Sequence, residues 1–198
     1  MSAARTSVRG IALIEVLVSL VILLFGLLGL VGVSSRANLS ELEAYQRVQA
    51  LQLVQDMADR LNANRKVANC YSNDATGVKL GTGSTTVPAC TTGSVQEQVR
   101  VAADLTAWDA MLKGSAETET SGGATAKLGG MIGAVGCITL EDAATKVYLI
   151  AVSWQGMAKT AAPLLADGTT AFPCGANSYS NEALHRVATT KVRIGALK

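Results

Sequence analysis

The chain is expected to fold as an α+β protein, with one long N-terminal helix packed on a small C-terminal antiparallel sheet. Three observations predict this. Residues 11–33 form an apolar run whose only charge is Glu15. The run continues to residue 65 without a proline, the first being Pro88, and turns amphipathic from Ser40. Segments rich in β-branched and aromatic residues come in the last third, at 136–140, 146–154 and 183–194.

The apolar run is long enough to cross a bilayer, which takes about 20 residues. A carboxylate is costly there, roughly 2.5–3.5 kcal/mol at a helix centre, so Glu15 calls for a reason. Before the run, residues 1–10 carry Arg5 and Arg9, no acid, and end in Gly10. Basic flanks stay on the cytoplasmic side, which places the remainder outside. An ordinary secretory signal has a shorter apolar core followed by its cleavage site. Here the apolar core is longer and a basic segment ending in Gly10 precedes it, so a cut after Gly10 would retain the run as an anchor.

Beyond the run, Val48, Leu51, Val54, Ala58 and Leu61 recur at helical steps among Glu41, Glu43, Gln46, Arg47, Gln52, Gln55, Asp56 and Arg60. One helix over residues 11–64 would be about 80 Å long. Its second half would press an apolar stripe on a globular head. Gly26, Gly29 and Gly32 lie three apart, and small residues let membrane helices approach closely. Residues 69–94 read as a loop with polar and glycine clusters. Residues 96–113 read as a helix burying Val99, Ala103, Leu105, Trp108, Met111 and Leu112. Residues 115–123 read as a linker. The three strands follow, with 141–145 as a hairpin turn and 156–174 as a connection holding Pro163, Gly168 and Pro173.

The formal charge is +2, and without Arg5 and Arg9 the basic and acidic side chains balance. No basic field or aromatic cluster supports nucleic-acid binding. Cysteines stand at 70, 90, 137 and 174, all in the part expected outside the cytoplasm, where disulfides persist. Four cysteines allow three pairings. Cys70–Cys90 and Cys137–Cys174 are favoured because each closes a loop within one subregion, worth about 3–4 kcal/mol apiece in the chain-entropy view. The single histidine, His185, has no metal-ligand spacing, and Glu141, Asp142 and Asp167 form no calcium loop. His185 near Ser178 and Ser180 matches no nucleophile elbow or triad and reads as a surface or half-buried side chain. No cofactor and no catalysis are expected. The loops at 71–89 and 155–174 are candidates for contacting a surface ligand.

Gly10-Ile11-Ala12-Leu13-Ile14-Glu15 at the head of the apolar run resembles the prepilin signal of type IV pilins and type II secretion pseudopilins. Gly136-Cys137-Ile138, Val152-Ser153-Trp154-Gln155-Gly156, Cys174-Gly175 and Arg186-Val187 resemble the tail of the PilV family of minor pilins. The resemblance implies a type IV pilin fold: a cleaved leader at 1–10, a transmembrane or fibre-core helix at 11–33, an amphipathic spine at 34–65 and a periplasmic head at 66–198. It implies cleavage by prepilin peptidase between Gly10 and Ile11, N-methylation of Ile11, and subunit alignment through Glu15. The implied partners are the major pilin, other minor pilins and the inner-membrane assembly machinery. The implied location is the inner membrane, N-terminus inside, and then the pilus. A minor pseudopilin of type II secretion is the alternative within the same superfamily.

Overall fold

The computed structural model describes residues 9–115, 118–121, 124–127 and 130–195, so most of the segment 1–10 that is expected to be a leader lies outside the described residues. The chain divides into two compact units, Met1–Leu42 and Glu43–Lys198. Helix α1 (Arg9–Ala63) contributes to both. In the first unit it is continuous from Arg9, in keeping with the absence of proline.

The second unit begins with the remainder of α1. Ala50, Leu53, Val54, Met57, Ala58 and Leu61 are buried there. The stripe is rotated from the expected one, because Val48 and Leu51 are about half exposed. At 100° per residue, positions 50, 54, 57 and 61 share one side of the helix, and small Ala50 and Ala58 let neighbours close on it. A 3-10 turn (Arg65–Val67) and a short helix α2 (Ala68–Tyr71) follow. Strand β1 (Val78–Gly81) then lies within the segment expected to be loop.

Helix α3 (Val95–Leu112) opens with a capping box. Ser94 Oγ accepts from Glu97 N (3.3 Å), and Ser94 N donates to the Glu97 carboxylate (2.8 Å). Its buried side is Val101, Asp104, Leu105, Trp108 and Leu112. Val99 and Ala103, expected inside, are exposed, because the face set by Trp108 runs through 101 and 105. Trp108 Nε1 donates to Leu53 O of α1 (2.9 Å), which satisfies the indole inside the core.

The segment read as a linker, 115–123, holds strand β2 (Thr118–Ser121), which pairs antiparallel with β3 (Ala124–Lys127) just beyond it. Strands β4 (Val135–Asp142), β5 (Val147–Gln155) and β6 (His185–Arg193) complete an antiparallel sheet of order β1-β4-β5-β6. It has four strands rather than three, with β1 at one edge. Period-two alternation gives the sheet two apolar faces. Ile138, Ile150, Val152, Ala188 and Val192 belong to the core shared with α1 and α3. Val135 and Ala151 pack with Phe172 and Cys174 in a second cluster, so the connection after β5 covers part of the other face.

Gly136 marks the closest approach between layers. A Cβ there would lie 2.3 Å from the Trp108 ring, so only glycine admits the indole.

Candidate assembly and recognition surfaces

In the first unit, every large apolar side chain of residues 13–33 is exposed, from 40% at Val21 to 72% at Leu13. Such a contiguous apolar surface does not persist in water and marks an interaction site. This is the one helix among the described residues long and apolar enough to cross a membrane. Glu15 is exposed on it, and Ser19 Oγ donates to the Glu15 carbonyl one turn back (2.7 Å). Gly10 and Ile11 lie in the first turn of the helix. A Cβ at Gly26, Gly29 or Gly32 would meet nothing within 4 Å, so packing inside this chain does not explain the three glycines.

In the second unit the cysteines form Cys70–Cys90 (S–S 2.09 Å) and Cys137–Cys174 (2.04 Å). The second bond fixes the connection after β5 to β4. Further ties hold that connection. Glu43 of α1 accepts from Met157 N and Ala158 N (3.0 Å each) and pairs with Arg186 of β6 (3.4 Å). Tyr179 OH donates to Ser153 Oγ (2.9 Å), and burial pushes that phenol up to about 12.

His185 is more deeply buried than the surface or half-buried side chain expected from the sequence. It is 1% exposed, with Nδ1 3.0 Å from Glu182 Oε2 and Nε2 2.9 Å from Cys174 O. Both ring nitrogens are committed to these oxygens, and neither Ser178 nor Ser180 is among its partners. Its role is to hold the connection at the start of β6. Among the described residues, no group of three His, Cys, Asp or Glu is placed to hold a metal.

Beneath the sheet, buried Asp104 gathers Arg60 (3.1 Å), Arg100 (3.2 Å) and the Tyr71 hydroxyl (2.6 Å). Burial, followed by the bond to Asp104, pushes the Tyr71 hydroxyl up. This cluster joins α1, α2 and α3. Asp109 does similar work at the end of α3, accepting from Gly81 N (2.8 Å) and Lys113 Nζ (2.7 Å). Burial would raise its pKa. The bonds from Lys113, Ser84 and Gly81 outweigh burial and hold the carboxyl below its ordinary value. None of Glu43, Asp104, Asp109 or Tyr179 was expected from the sequence to tie elements together. The contacts that join different elements are long in sequence, and no local pattern announces them; among those named, only Arg100–Asp104 and Lys113–Asp109 are pairs one helical turn apart.

On the sheet face away from α1, a pocket of about 210 Å³ opens between Thr76–Lys79 and Phe172–Cys174, floored by Thr139, Leu149 and Ala151. It brings together parts of the two loop segments expected to contact ligands.

No curated protein and no solved structure matches the chain. Residues 33–111, less than half of the chain, match the family model described as "Tt1218-like: Type IV pilin Tt1218". The match takes in the second half of α1, the Cys70–Cys90 staple, β1 and α3. Together with the apolar helix and its antiparallel sheet, that match supports a type IV pilin family, a family of structural subunits, for this chain.

Proposed function

We propose that this chain is a minor pilin of the type IV pilus, of the PilV kind. It is cut by prepilin peptidase between Gly10 and Ile11, N-methylated on Ile11, and built into the fibre with the major pilin and other minor pilins. There it primes assembly and modulates adhesion and twitching. The observation that carries this reading is the exposed apolar helix with one carboxylate five places after Gly10. Before assembly, residues 11–33 anchor the chain in the inner membrane with the head outside. In the fibre the same surface packs against neighbouring helices, and Gly26, Gly29 and Gly32 allow their close approach. Glu15 then pairs with the new amino terminus of a neighbour. Pairing offsets the cost of an isolated charge in apolar surroundings.

Intact mass of the chain from sheared surface filaments and from membranes tests the proposal. The expected result is loss of residues 1–10, one added methyl and presence in the sheared fraction. Glu15→Ala should still be cut but should vanish from sheared filaments. An uncut chain in a host with active prepilin peptidase overturns the reading. A processed chain confined to membranes in a host with type II secretion favours the pseudopilin.

A further inference from the structure

The four-stranded sheet has two edges of different character. At β1, Thr82 N donates to Ala134 O, so Val78 and Leu80 form the bonded pairs with β4 and residues 77, 79 and 81 turn outward. Two of those three are occupied. Gly77 N donates to Ser72 O (2.8 Å), and Gly81 N donates to Asp109. Only Lys79 is left on a four-residue edge.

At β6, Gly156 N donates to Leu184 O and Ile194 N donates to Lys146 O. The even-numbered residues of β6 are therefore the bonded partners of β5. His185 N is taken by Glu182 O. Val187, Thr189, Lys191 and Arg193 turn their N–H and C=O outward, and no group among the described residues bonds to them. These outward groups span about 20 Å. The strand has no proline and no shift in its pairing, so none of the usual devices of kink or bulge closes it.

The charges carried by β6 itself have one sign. β6 carries Arg186, Lys191 and Arg193 and no acid. Arg186 is engaged by Glu43, while Thr189, Lys191 and Arg193 are exposed. Lys191 reaches Glu141 on β4 (2.7 Å) and stays 61% exposed, and Arg193 interacts with Asp142 at the end of β4, so each cation has one acid on its inner side and its outer side open. A strand laid beside β6 would put its side chains about 5 Å from these cations. Acidic residues at alternate positions match them, and basic ones are repelled.

We propose that the β6 edge takes an extended acidic segment of another protein as a fifth strand of the sheet. The proposal goes beyond the pilin reading and does not depend on it. Lysine on an edge also serves to discourage pairing, and the experiment separates the two roles. Residue-resolved amide exchange is followed on the full chain in detergent, with nine-residue peptides of alternating Glu and Val, or Lys and Val, as probes. The Glu peptide should slow exchange at Val187, Thr189, Lys191 and Arg193 by roughly tenfold or more, and the Lys peptide should not. Lys191→Glu combined with Arg193→Glu should reverse that preference. Thr189→Pro removes an outward N–H and no ladder bond, and it should abolish protection by the peptide. Should Thr189→Pro fail to fold, the charge reversal decides the matter. Equal protection by both peptides, or by neither, overturns the proposal. Protection without peptide that rises with chain concentration also overturns it, and assigns the edge to a second copy.

Discussion

Asp109 is the residue that ties the end of α3 to the end of β1 and to Lys113. Its folded pKa is held below the ordinary carboxylate value of about 3.9. A depressed carboxylate stabilises the fold fully above its unfolded pKa, and that contribution is lost as pH falls through the folded value. The chain should therefore lose urea resistance below about pH 4, and Asp109→Asn should lose less over the same interval. At neutral pH the variant should be weaker than the parent by about 1–3 kcal/mol, because Gly81 N and Lys113 lose a charged acceptor. Urea midpoints at pH 7 and pH 3.5 check both statements. Glu43 and Asp104 are also carboxylates with several donors each. Their positions in the sequence look like ordinary solvated acids on amphipathic helices, and the partners that distinguish them lie far along the chain.

Among the elements, α3 and β4 meet where Trp108 lies against Gly136. Gly136→Ala should force the indole or the strand to shift. The cost should be about 1–3 kcal/mol, as for other overpacked cores. Thermal melting measures it, and near-ultraviolet circular dichroism in a Trp154→Phe background follows the Trp108 indole; a melting point unchanged by Gly136→Ala would mean that the two layers yield easily. The longer elements were legible in the sequence. The periodic pattern after Ser40, the apolar repeat of α3, and the Val/Ile/Tyr/Trp run of β5 each extend over several turns or alternations. β1 and the β2–β3 hairpin were not legible. Each strand is four residues long, set among Gly, Thr and Ser, and held by its partner more than by propensity. The rotated face of α1 has a similar cause. Tyr45, Val48 and Leu51 repeat every three residues as convincingly as the buried set, and only the head decides which set it covers. His185 reads as a strand residue near a turn, and nothing local shows that its ring enters between Glu182 and Cys174.

For the molecule as a whole, the head is a sheet covered by helices on one face and by the 156–184 connection on the other. Cys137–Cys174, His185, Tyr179 and Glu43 all fasten that connection. Replacing both Cys137 and Cys174 by Ser should cost about 2–5 kcal/mol of stability. It should also speed amide exchange at Phe172 and Ala151 while leaving Val101 and Leu105 in α3 slow, because the helical core does not include this loop. Exchange that rises equally in both places would show one cooperative unit instead. The cross-links between α1 and the rest of the head have a mechanical consequence. Glu43 is joined to β6 and the loop, Leu53 to Trp108, Arg60 to Asp104, and Asn64 to the Glu97 carbonyl. A pull along the axis of the second half of α1 is therefore opposed at four places, Glu43, Leu53, Arg60 and Asn64, rather than at one. Three of these fastenings end on α3 and one on β6, so tension carried by the helix is passed to a second helix before it reaches most of the sheet.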